Sequence, residues 1–101
     1  MQFSGTPAYM APELFQKRQY DEKVDVFAFG TLIWEVMCRE VPYDGLDPID
    51  IKGKVEKEEP LKAVTGSSPA INQLISECRL VNIAERPSFE RIVEILNLVA
   101  R

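Results

Sequence analysis

Histidine is absent from the chain, which removes the usual general base near neutral pH and the commonest metal ligand together. Any catalysis would have to rest on carboxylates, lysine or cysteine. Cysteine is scarce as well: Cys38 and Cys78 are the only two and form no C-x-x-C pair, so neither a zinc knuckle nor a disulfide framework is indicated. The expectation is a reduced, intracellular and cytoplasmic setting with no metal site. Positive charge is in short supply, with 12 Lys and Arg against 16 Asp and Glu for a net charge of −4. Nucleic-acid affinity comes largely from Lys and Arg displacing counterions, so that class of partner is set aside. The first residues lack a basic stretch followed by an apolar one, and no Asn-x-Ser/Thr acceptor occurs, so no secretory signal is expected. No internal repeat is visible.

What is present has globular composition. The 101 residues are 46% hydrophobic and 28% charged, which argues for one packed domain and against disorder. Acidic residues gather in the first half, where positions 1–50 hold 4 basic and 9 acidic side chains. Pro7 and Pro12 with Gly5 favour a structured loop at the start. A short helical turn over 12–16 follows, with Pro12 in the tolerated first position. The stretch KVDVFAFGTLIWEVMC, residues 23–38, is apolar nearly all round and reads as a helix buried on every side. It is longer than an ordinary strand. With two internal carboxylates it is too short and too costly for a bilayer, which asks for about 20 apolar residues.

Pro42, Gly45 and Pro48 mark a turn-rich loop, and Asp47-Pro48 is an N-cap followed by proline at the first helical position. A short helix over 48–56 is expected. The polar segment 54–68 holds Pro60 and Gly66 and reads as a surface connection. Ser68-Pro69 repeats the cap signature, and Ile71, Leu74, Ile75 and Cys78 recur at helical spacing up to about Leu80. Ser88 offers a third cap, before a last amphipathic helix whose apolar face carries Phe89, Ile92, Val93, Ile95, Leu96 and Val99. The fold class is all-α. Three short helices with single apolar faces are too few to cover the central one, so an exposed apolar band is expected, of the kind that marks a partner or a truncation.

Three motifs in order make the chain recognisable. GTPAYMAPEL at 5–14 carries Ala-Pro-Glu with Tyr9 just upstream, DVFAFG follows at 25–30, and Arg86-Pro87-Ser88-Phe89 comes near the end. Together they resemble the last part of a protein kinase catalytic domain, from the end of the activation segment onward. The resemblance covers essentially the whole chain. It implies a partial kinase C-lobe: the end of the activation segment over 1–16, a central helix F over 23–38, and helices G, H and I over 48–101. Thr6 matches the Ser/Thr type, and GTLIWEVMCREVPYDGLDP with RPSFERIVEIL look most like the tyrosine-kinase-like group.

The resemblance also implies roles. Glu13 and Arg86 would form a buried structural ion pair tying the activation segment to the loop before the last helix. Asp25 would anchor the catalytic loop. Thr6, Pro7, Ala8 and Tyr9 would line the substrate-side loop. Phe27 stands where the family often has tryptophan, Gly30 allows close packing, and Phe29, Trp34 and Met37 read as core. Phosphoryl transfer needs a phosphate-covering glycine loop, a phosphate-binding lysine, metal-holding Asp and Asn, and a base. The sequence contains no G-x-G-x-x-G, no His-Arg-Asp and no Asp-Phe-Gly. No catalytic residue is therefore assigned in this chain, and ATP and Mg2+ are cofactors of the parent kinase, not of these residues. Its partners would be the remainder of the kinase domain and, in the parent, a protein substrate. The alternative is a stand-alone, non-catalytic module that binds a kinase or its partners through Val41, Pro42, Tyr43 and Leu46.

Overall fold

The computed structural model describes residues 7–99. Its helices are α1 (Pro12–Phe15), α2 (Lys23–Cys38), α3 (Pro48–Glu56), α4 (Pro69–Cys78) and α5 (Phe89–Val99), with 3-10 turns at Pro7–Tyr9 and Ile83–Glu85. No strand occurs among the described residues. Helix α2 is the centre. It packs against α4 and the first 3-10 turn, that turn and α1 pack on α3, and α4 packs on α5.

Each hydrophobic cluster takes residues from α2. Phe27 joins Ala11, Ile51 and Val55 on one side. Val26 meets Leu74, Cys78 and Ile92 on another. Trp34 lies among Val64, Ile71 and Ile75. The close seating of α4 depends on Gly30, because a Cβ there would stand 2.5 Å from the Cβ of Cys78 and 3.4 Å from the Cγ of Arg79.

The helix ends follow the expected chemistry in part. Asp47 Oδ1 accepts the Asp50 N–H at 2.9 Å and Ser88 Oγ accepts the Arg91 N–H at 3.1 Å. Ser68 precedes α4 in extended geometry but its hydroxyl caps nothing. The Ile71 N–H, which such a cap would take, turns instead to the Ser68 carbonyl at 3.1 Å. Helix α4 also stops at Cys78, before Leu80. Helix α2 ends on Arg39, whose left-handed backbone (φ 57°) directs its N–H to the Glu35 carbonyl at 2.8 Å.

One expectation is corrected. Helix α2 is not buried on every side: Val36 is 65% and Met37 43% exposed, so Met37 is not core. Phe29 is half-buried, its ring edge-on to that of Phe89 with centroids 5.7 Å apart. Phe29, Ile33, Val36 and Met37 fall on one side of α2 by helical spacing. With Phe89 and Val93, both exposed on α5, they form an apolar band. Phe29 and Ile33 still pack in part against the cluster of Val26, Leu74, Cys78 and Ile92, so the uncovered part of this side of α2 is its end at Val36 and Met37.

Gly30→Ala tests the packing. Alanine favours a helix over glycine by about 1 kcal/mol, yet the new methyl would meet a Cβ that cannot swing away. The clash should win, lowering stability by about 1–3 kcal/mol in denaturant titration; a stabilised variant would show that α4 can move off α2 freely.

Candidate functional site

The site is built around Arg86. Proline at the first position of α1, after an extended Ala11, starts that helix so that Glu13 points inward, where it is only 2% exposed. Arg86 follows the 3-10 turn Ile83–Glu85 and is equally buried. Its Nη1 donates to Glu13 Oε2 at 2.7 Å and its Nη2 to Glu13 Oε1 at 2.8 Å, a two-point fork. Nε donates to the Leu80 carbonyl at 2.7 Å and Nη1 also to the Lys23 carbonyl at 3.0 Å. Lys23 Nζ in turn donates to the Arg86 carbonyl. One guanidinium therefore joins α1, the start of α2 and the segment after α4.

Phe27 lies under this hub. The Arg86 guanidinium sits 5.3 Å from its ring centroid and that of Arg79 4.7 Å, so two cations share one aromatic ring. Arg79 is buried and donates to Thr31 Oγ1 at 3.4 Å and to the Tyr43 hydroxyl. Burial pulls its guanidinium below the usual range, with Tyr43 offsetting part of the effect. No local sequence signal marks Arg79, since an arginine at the end of an amphipathic helix reads as a surface charge. Cys78, one residue before it, has its thiol pushed up to about 12, first by burial and then by Glu77, with Arg86 opposing.

The remaining sequence-derived residues are placed as follows. Pro7, Ala8 and Tyr9 form the half-buried 3-10 turn, closed by the Met10 N–H on the Pro7 carbonyl at 3.2 Å. Thr6 lies outside the described residues. Asp25 is half-buried in the first turn of α2, with no side-chain hydrogen bond to another described residue. The set Val41, Pro42, Tyr43 and Leu46 divides. Pro42 is buried and Tyr43 is held by Arg79, while Val41 and Leu46 are exposed. Two of the four are thus packing residues, because the loop turns inward to meet Arg79.

Among the described residues no group of three or more His, Cys, Asp or Glu is placed to hold a metal ion. No helix among them is long and apolar enough to cross a membrane. Both cysteines are free.

A family model for protein tyrosine and serine/threonine kinases matches residues 3–96. The chain belongs to that family. Within it, the chain is 34% identical over 99 residues to the serine/threonine-protein kinase STY17 of Arabidopsis thaliana, covering 97% of this chain and 17% of that protein. It is 37% identical over 93 residues to the serine/threonine/tyrosine-protein kinase HT1 of the same plant, covering 91% and 24%. It is 38% identical over 96 residues to the dual specificity protein kinase shkD of Dictyostelium discoideum, covering 92% and 13%. The chain thus spans less than a quarter of the length of these relatives, and its all-helical fold is that of a partial kinase C-lobe.

Two outcomes are expected at this kinase segment. Arg86→Lys keeps the charge but cannot serve the Glu13 fork and both carbonyls at once, so it should cost about 3 kcal/mol of stability; a loss within about 0.5 kcal/mol would be an ordinary surface effect. Cys78 should stay a neutral thiol and resist alkylation in the folded chain at mildly alkaline pH, reacting only as fast as the protein unfolds. Rapid labelling of Cys78 in native protein would contradict its burial.

Proposed function

We propose that the protein carrying this segment transfers the γ-phosphate of ATP to serine and threonine hydroxyls of other proteins, and that the segment supplies the substrate-side floor of the catalytic lobe. The observation that carries this reading is the buried Glu13–Arg86 fork, which fastens the Ala-Pro-Glu turn to the segment before the last helix and, through the Arg86 bond to the Lys23 carbonyl, to the start of the central helix. In this reading residues 1–16 are the end of the activation segment, 23–38 helix F, and 48–101 the remaining helices. Thr6, Pro7, Ala8 and Tyr9 then border the substrate, and the carboxylate of Asp25 is left to receive hydrogen bonds from the catalytic-loop backbone.

The residues described do not fit Mg-ATP. They offer no acidic cluster, and the sequence has no glycine loop to cover phosphates. The chain is therefore expected to be inactive by itself. The apolar band of Phe29, Val36, Met37, Phe89 and Val93 supports a covering partner. In the kinase reading that partner is the remainder of the catalytic domain, in a cytoplasmic protein. A separate protein in that place would make the chain an interaction module.

The test compares the 101-residue chain with the longer natural protein that contains it, using Mg-ATP and a mixed serine/threonine peptide library. The longer protein should phosphorylate the library and the chain alone should stay at background. ATP turnover by the chain alone, or none by the longer protein, would overturn the reading.

A further inference from the structure

The structure leaves one buried cation without a counter-charge among the described residues. Arg79 is 8% exposed, yet its donors meet only the neutral hydroxyls of Thr31 and Tyr43 and its plane only the rings of Phe27 and Tyr43. A guanidinium taken out of water ordinarily finds a carboxylate, because a desolvated charge is costly unless paired.

A two-lobed cleft lies beside it. Residues 58–63 form a strap across α2 and α4, held by the Trp34 indole N–H on the Lys62 carbonyl at 2.8 Å and, just beyond, by Asn72, which bonds both backbone groups of Val64 at 2.8 and 3.1 Å. Under the strap is a lobe of about 670 Å³ walled by Trp34, Val55, Leu61, Ile75 and Arg79. A second lobe of about 360 Å³ includes Tyr43, and the two share Trp34 and residues 59–62. Since Arg79 walls one lobe, Tyr43 the other, and the two side chains are hydrogen-bonded, the guanidinium–phenol pair lies where the lobes meet. The larger volume is in the range of small-molecule sites, which combine apolar walls with a few fixed polar groups.

The other charges around the cleft are already engaged or lie in water. Glu59 is 3.5 Å from Lys54, Glu40 is paired with Lys62, and Glu58 accepts the Val81 N–H at 2.7 Å. Glu58 and Asp44 are exposed, where solvent screens them far more than it screens a buried group. We propose that this cleft is a binding site for a small apolar carboxylate, its ring or short chain against the apolar walls of the larger lobe at Trp34, Val55 and Leu61 and its carboxylate accepting from Arg79 in place of the Tyr43 hydroxyl. The bond to Tyr43 already has an ionised donor, and exchanging its neutral hydroxyl acceptor for a carboxylate adds the attraction of opposite charges in a site poor in water, while the desolvation of Arg79 is already met by the fold. An alcohol of the same shape gains only the apolar contact, and an amine is repelled.

Trp34 is the chain's only tryptophan, so its fluorescence reports on both lobes. The 101-residue chain would be titrated with phenylbutyrate, phenylbutanol and phenylbutylamine. The acid should give a saturable change and bind at least about tenfold more tightly than the alcohol, with the amine weakest. Arg79→Met should erase the preference for the acid. Ser76→Phe, an exposed residue on the wall of the larger lobe, should abolish binding by filling it, and it decides the matter if the arginine variant does not fold. A flat titration, equal affinity for acid and alcohol, a preference surviving Arg79→Met, or binding unchanged in Ser76→Phe would each overturn the proposal.

Discussion

The organisation of this chain depends on how one arginine is satisfied. Arg86 has no solvent to fall back on, and each of its three guanidinium nitrogens finds an acceptor: the two oxygens of Glu13, the Leu80 carbonyl and the Lys23 carbonyl. These partners come from parts of the chain far apart in sequence. A buried ion pair adds little net stability over a well-packed apolar contact, but removing either partner strands a charge. Its effect is to fix which segments meet. The turn that holds Pro7, Ala8 and Tyr9 is therefore set relative to α2 by a fork that only one geometry satisfies.

Phe27 extends that constraint into the core. Its ring packs on Ala11, Ile51 and Val55 and is shared by the guanidinium groups of Arg86 and Arg79. Arg79 then reaches Thr31 and Tyr43, so the loop after α2 is drawn inward by the same stack. Gly30 makes the arrangement reachable by letting α4 approach α2 without a methyl group between them. Polar groups that would be costs if unpaired here define the path of the backbone around the central helix.

Much of this was legible in the residues, for identifiable reasons. The long apolar stretch at 23–38 and the cap signatures at Asp47-Pro48 and Ser88 are local signals, and local geometry honours them. Ser68 carries the same signature without the bond, because a backbone carbonyl serves Ile71 instead. Glu13 and Arg86 are 73 positions apart, a separation that carries no periodic signal, and only the resemblance to kinases joined them. Arg79 was missed because nothing local distinguishes a buried arginine from a solvated one. Val36 and Met37 read as core by composition, but the helices available cover α2 on its other sides.

The claim that the Glu13–Arg86 pair fixes the site rests on coupling between two distant residues, and a double-mutant cycle measures it directly. Glu13→Ala, Arg86→Ala and the double variant would be compared by denaturant unfolding. Each single change should cost about 3–5 kcal/mol, and the double variant should be less destabilised than their sum by about 2–3 kcal/mol, since each change already strands the partner of the other. Effects that add to within about 0.5 kcal/mol would mean that the two residues act independently, and would contradict the account.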